Sequence, residues 1–442
     1  MKMLFKNMNS TKAGILLLMV LLVPCGFHNY VEKKYSFGLY SIAFVLLIAW
    51  WLLQYLTRRK QLVLRHDMFN HLLMFFLLYC IIHAIFLITG YIEFIYYARY
   101  FLVFFSLFLY YIILSEIRND DHVRLFIVAI IVVSSTICLI TLSQNVYEGF
   151  WGRVEKGLYF STLYIFVTIL LLGLWFLNSN LVHPALLYPA IILHLGRYFI
   201  DIRRGPLPSL LAGMIFFLLF AIVFIRILRR RHIIFRQLAG MRAYIIILII
   251  FISGIFFAYY SEGRGQDFAS SGDTPIDSYK RRFSENAVSQ ALEGRTEDYL
   301  RALNDQNWNI ISGSGLGTQY NLKYAEDIHS LYVHILANMG IIGIILFFSL
   351  VLRIFWLGIK ISRTTYYRED IILSATLGAT TLFYFIYFTF SCRGTEYEAM
   401  FVMAMSAAIL VYMDSKTRRP RRYFIPEGPP EPGPNNFPPR RY

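Results

Sequence analysis

A chain of 442 residues that is 57% hydrophobic, 17% aromatic and only 16% charged is far from a soluble domain, where about a quarter of residues are charged. Its mean hydropathy is +0.53. The net charge of +15 does not point to nucleic acid, because the Lys and Arg residues sit in short loops between apolar runs, where positive charge orients a membrane protein.

Apolar runs long enough to cross about 30 Å of hydrocarbon as a helix recur from end to end. A helix satisfies its own backbone in lipid, so helices are the expected form. The reading is an all-α polytopic membrane protein with about twelve transmembrane helices. The spans fall at 12–28, 37–56, 69–89, 95–115, 123–143, 158–177, 183–200, 207–226, 243–260, 329–354, 371–390 and 397–413. The first follows Lys2, Lys6 and Lys12 and reads as an uncleaved helix. The seventh holds Pro184, Pro189, His194 and Arg197. Cys25, Cys80, Cys138 and Cys392 lie in or beside these runs without paired spacing. They read as small core residues rather than a disulfide or metal framework.

Positive charge sets the topology. One set of loops holds 57–65, 226–242, 353–363 and the tail stretch 416–422, all rich in Lys and Arg. The positive-inside rule makes that side cytoplasmic, with both termini there. Residues 1–260 then carry nine helices, 261–328 form a long periplasmic loop, 329–413 carry three more helices, and 414–442 form a tail. The loop is partly helical, with helices expected near 279–292 and 297–309; Thr296 is placed to cap the second, with Glu297 and Asp298 in its first turn. The tail repeats Pro with few aliphatics and cannot build a core. No internal repeat is visible.

Charge at the mouth of a span is costly and often functional. His194 and Arg197 are three apart and share a helix face. Arg203 and Arg204 follow at the outer mouth, where guanidinium forks suit phosphate oxygens; the alternative is snorkelling to lipid headgroups. Arg295 is either a solvated loop charge or part of the same site. The glycines of 312–317, among them Gly313 and Gly315, lack the Lys-Ser/Thr of a phosphate-binding loop and the strand of a dinucleotide fingerprint. They read as a tight turn into the membrane segment. His329 opens the tenth span and can move a proton near neutral pH, with Asp327 nearby to orient it; the bland reading is a capping histidine. His334 lies about 140° around the helix from His329, so the two do not make a zinc face. His83, Glu93, Arg99, Arg393 and Glu396 read as pore or packing residues, with no stronger signal for function than for structure.

Together these features resemble the O-antigen ligase and O-antigen polymerase superfamily of bacterial inner-membrane glycan transferases. Arg203-Arg204-Gly205 stands where that family has an SRG-like box. Arg295 and Tyr299, Gly313-Ser314-Gly315, His329-Ser330 and Gly340-Ile341-Ile342-Gly343 follow in the family's order over 194–343. The departures are Arg203 for the usual Ser, Tyr299 for Trp and Ser330 for Asn. The resemblance implies transfer of a glycan from an undecaprenyl diphosphate carrier to a glycan or lipid A-core hydroxyl on the periplasmic face of the inner membrane. No metal, cofactor or nucleotide sugar is implied. His329 would be the base, and Arg204 and Arg295 would meet the diphosphate charge. Arg203, Arg197, His194, Tyr299, Gly313 and Gly315 would line the substrate. The competing class is a twelve-span transporter or lipid-linked glycan flippase, which the span count permits.

Overall fold

The computed structural model describes residues 39–57, 67–88, 92, 94–147, 163–177, 179–200, 309–317, 330–365, 367–391 and 397–418. The expected spans at 12–28, 207–226 and 243–260 lie outside them. So do Arg203, Arg204, Arg295, Tyr299 and His329, the loop helices, and the tail from 419 onward.

Among the described residues every regular element is a helix. They are α1 (Leu39–Leu56), α2 (Met68–Ile82), the short α3 (Ile85–Ile88), α4 (Phe94–Phe105), α5 (Leu109–Glu116), α6 (Asp120–Tyr147), α7 (Leu163–Phe176), α8 (Pro184–Ile200), α9 (Leu331–Thr364), α10 (Arg368–Ser391) and α11 (Tyr397–Arg418). A 3-10 turn at Ser106–Phe108 joins α4 to α5 as one crossing. Six stretches are long and apolar enough to span a membrane, and Phe44–Leu56 and Leu163–Trp175 are shorter apolar helices. The protein is a multi-pass membrane protein.

Side-chain pairs give the direction of each helix. Asp67 meets Arg353, Phe76 meets Phe347, and Tyr79 meets Met339, so α2 and α9 run antiparallel. Arg124 reaches Leu181 and Ser134 reaches His194, so α6 and α8 run parallel. One end of the bundle collects the charges. There Arg353 pairs with Asp67 at 2.6 Å and Lys360 with Asp414 at 2.6 Å. Lys416 bridges Asp120 and Asp370 at 2.7 and 3.1 Å. The Glu369 carboxylate accepts from Ser179 and Asn180.

Helix α11 is the hub. Its run from Ala399 to Val411 is buried all round, packed by α4, α5, α7, α9 and α10. Alanine and methionine suit that place: small residues let helices close up, and Met fills what remains. Cys80 and Cys138 are free and buried, as expected of core residues.

Two boundaries differ from the sequence reading. The stretch 353–363, read as a loop, continues α9, because Arg353 is paired with Asp67 and lies 4.5 Å over the Trp356 ring, while Lys360 is paired with Asp414. Residues 414–418, read as the start of the tail, are the last turn of α11, held by the Asp414 and Lys416 pairs. Charges that read as solvated are partnered, so the helices run on past the apolar window.

Candidate functional site

Helix α9 is broken. Gly340 has φ 65° and ψ −165°, non-helical values inside an otherwise continuous 34-residue helix. A break in a membrane helix frees carbonyls on one side and N–H groups on the other, and in hydrocarbon each must find a partner. The segment 309–317 supplies most of them. Ala337 O accepts from Ser314 N at 2.8 Å and from Ser314 Oγ at 2.9 Å; Asn338 O accepts from Gly315 N at 2.9 Å. On the other side, Ile341 N donates to Ile310 O at 2.9 Å and Ile342 N to Ile311 O at 3.4 Å. The hydroxyl of Tyr79, from α2, donates to Met339 O at 2.9 Å.

Asn338 ties the junction together. Its Nδ2 donates to His334 O at 2.7 Å and its Oδ1 accepts from Gly317 N at 3.1 Å. The loop closes on itself through Asn309, whose Oδ1 and carbonyl take the N–H groups of Ile311 and Gly313. Gly313, Gly315 and Gly317 all have positive φ (69°, 101° and 94°). A Cβ on Gly313 would strike the Asn338 backbone, and one on Gly340 would strike the carbonyl of Ile311. The two glycines meet backbone to backbone, an approach only glycine permits.

One side of this junction is buried, at Gly313–Gly317, Asn338 and Gly340, and the other is exposed, at Asn309–Ile311, Ile341 and Ile342. Gly340 is 13 residues from Arg353, roughly 20 Å of helical rise from the charged end. At the same level stands a layer of polar and aromatic side chains. His83, 2% exposed, ends α2 with its ring edge-on to Tyr79 at 4.7 Å and tilted against Phe86 at 5.4 Å. Gly315 faces Phe86 and Ile92. The Tyr97 hydroxyl donates to Cys80 O at 3.1 Å, and the Tyr100 ring lies 6.2 Å from that of His334. Beyond the break, Ser330 caps α9 by accepting from Val333 N. His329 is the next residue toward the N-terminus.

Of the sequence-predicted site residues, four are described. Gly313 and Gly315 sit in the junction with their amides engaged; the expected tight turn is there, and it is docked on the break of α9. His194 and Arg197 are both buried on one face of α8. Nδ1 of His194 donates to Ala190 O at 2.7 Å, leaving Nε2 to accept from the Ser134 hydroxyl at 2.8 Å. Arg197 lays its guanidinium 5.6 Å from the Tyr164 ring centre. The pair therefore braces α6, α7 and α8 against one another. Arg204, Arg203, Arg295, Tyr299 and His329 lie outside the described residues.

Sequence reasoning passed over Tyr79 and Asn338, named Ser314 only as the residue between two glycines, and did not see the break. One signal was present: Asn338-Met339-Gly340 has the form of a helix end, with Gly where a left-handed cap belongs. Among the described residues no group of three or more His, Cys, Asp or Glu is placed to hold a metal ion. No family model matches this chain, and no curated protein matches it.

Proposed function

We propose that this protein is a membrane glycosyltransferase. It would move an oligosaccharide from an undecaprenyl diphosphate carrier to an acceptor hydroxyl on the periplasmic face, as an O-antigen ligase or polysaccharide polymerase does. The observation that carries the reading is the junction itself. The glycine turn and Gly340-Ile341-Ile342-Gly343 are two of the stretches on which the resemblance rests, and they interlock as one unit. That unit supports the half-helix Leu331–Met339, whose cap Ser330 adjoins His329. A rigid support beneath the residue proposed as base is what proton transfer requires, since the base must be held within hydrogen-bond reach of the hydroxyl.

In this mechanism His329 takes the acceptor hydroxyl proton as the oxygen attacks the anomeric carbon. The bond from that carbon to the diphosphate oxygen breaks, and the carrier leaves as its diphosphate. Arg204 and Arg295 meet the charge that develops on the leaving oxygen. A transporter can also use a broken helix, whose free carbonyls then coordinate an ion. Here the carbonyls of Ala337, Asn338 and Met339 are already engaged by Ser314, Gly315 and Tyr79, which favours the transferase.

The test is transfer in vitro. Purified protein is incubated with a polyprenyl-diphosphate-linked oligosaccharide and candidate acceptors, and wild type is compared with His329→Ala. Product from wild type and a loss of at least about 100-fold in the variant is expected, the scale of a missing general base. Equal transfer by the two proteins would remove His329 from the mechanism. Substrate uptake into proteoliposomes without any transfer product would replace the reading with the transporter.

A further inference from the structure

Among the described residues at this level, His83 is a polar group that the junction leaves unused. Its neighbours are committed: Tyr79 to Met339 O, Tyr97 to Cys80 O, Ser314 to Ala337 O, and Asn338 to both His334 O and Gly317 N. Nδ1 of His83 is buried and carries no hydrogen bond. A buried polar atom without a partner is destabilising, and in a native protein it calls for an explanation. The backbone around it is also special. At His83 the chain leaves α2 and tightens into three-residue steps, with Ala84 N on Ile81 O, Phe86 N on His83 O and Leu87 N on Ala84 O. The ring is thus fixed between Tyr79, which holds the broken end of α9, and Phe86, which faces Gly315.

Its setting suits an amphipathic ligand. His83 lies 16 residues beyond Asp67, roughly 24 Å of rise from the charged end and near the opposite face of the hydrocarbon. On either side Ile82, Ile85 and Ile88 are exposed, and Ile341 and Ile342 are exposed beside the break of α9. A molecule with a long apolar chain and an anionic head at the membrane surface meets both features at once.

We propose that His83 is a further substrate-contacting residue, donating a hydrogen bond from its imidazole to a phosphate oxygen of the lipid-linked donor. This rests on the transferase reading. Hydrogen bonds to a charged oxygen are stronger than neutral ones, and more so where water is excluded. The ring is held by packing, so bonding to a phosphate oxygen costs Nδ1 no existing hydrogen bond.

The experiment is equilibrium binding to the purified full chain in detergent, with labelled undecaprenyl diphosphate as probe. Undecaprenol and excess phosphatidylglycerol serve as comparisons. His83→Phe keeps a ring against Tyr79 and Phe86 but has no donor; His83→Met is the second such variant should the first not purify as a folded protein. His83→Gln keeps an N–H. Loss of one hydrogen bond to a charged group is expected to weaken undecaprenyl diphosphate binding by about tenfold or more in His83→Phe. Undecaprenol binding should be unchanged, and His83→Gln should recover part of the loss. Wild-type affinity in His83→Phe or His83→Met overturns this assignment while leaving the transferase reading in place. Displacement of the probe by phosphatidylglycerol at comparable concentration overturns it in favour of a general headgroup site. No binding of undecaprenyl diphosphate to wild type overturns the assignment together with the reading it rests on.

Discussion

Gly340 carries a positive φ in the middle of a hydrophobic helix, and the space where its Cβ would stand is filled by the carbonyl of Ile311. Both facts act against any other residue. This positive-φ extended conformation, essentially confined to glycine, costs an L-residue about 1–3 kcal/mol, and the clash adds to it. Gly340→Ala is therefore expected to destabilise the protein by more than about 2 kcal/mol, read as a lowered unfolding midpoint of the purified chain in detergent. An alanine at 340 that leaves the midpoint unchanged would mean that the break closes at no cost. His194 teaches a different lesson at the same scale. It looks functional in the sequence because a histidine in an apolar run is unusual, yet both its nitrogens are bonded within the bundle. His83 looks no more functional in the sequence than His194, and the structure separates the two by their partners.

Among elements, the unit of interest is the loop 309–317 and the broken helix it fits. Neither is complete alone: α9 would leave carbonyls and N–H groups without partners in hydrocarbon, and the loop would leave its own amides so. Asn338 is the strongest tie, since one side chain, 1% exposed, serves both Gly317 N and His334 O. Asn338→Ala removes both bonds and leaves Gly317 N–H buried without its acceptor. The expected cost is about 1–3 kcal/mol, with the greatest rise in amide hydrogen exchange at Ser314–Gly317 rather than in α10 or α11. Exchange that rises equally everywhere would show that the loop is not a separate unit of stability. The far half of α9 makes the complementary point. It extends beyond the apolar window because Arg353 and Lys360 each have an acidic partner and share the Trp356 ring.

For the whole molecule, the charged end gathers residues that are distant in the chain: Asp67, Asp120, Glu369, Arg353, Lys360 and Lys416. The end of α1 lies there too, since Trp51 meets Phe108 and Ser115, close to the start of α6. Single cysteines placed at Thr57, Asn180 and Arg363, all exposed, are therefore expected to react with an impermeant maleimide from one and the same side. The positive-inside rule predicts that this labelling comes from the cytoplasmic side. Labelling of any one of them from the opposite side would break the arrangement of helices described above.

Sequence alone determined that the chain is helical and membrane-embedded, because apolar length and the backbone's need for partners in lipid are local properties. It located the described spans to within about five residues, except the end of α9, read at 354 and found at Thr364, and it marked 312–317 as a tight turn because repeated glycine has a local cause. The tertiary structure decided the rest. Whether Arg353 ends a helix depends on Asp67, 286 residues away. Whether α9 is continuous depends on a loop more than twenty residues earlier, and whether a histidine is bonded or bare depends on what stands across the bundle. Those are pairings between distant parts of the chain; neighbouring residues mark where α9 can break, at Asn338-Met339-Gly340, but not what it pairs with.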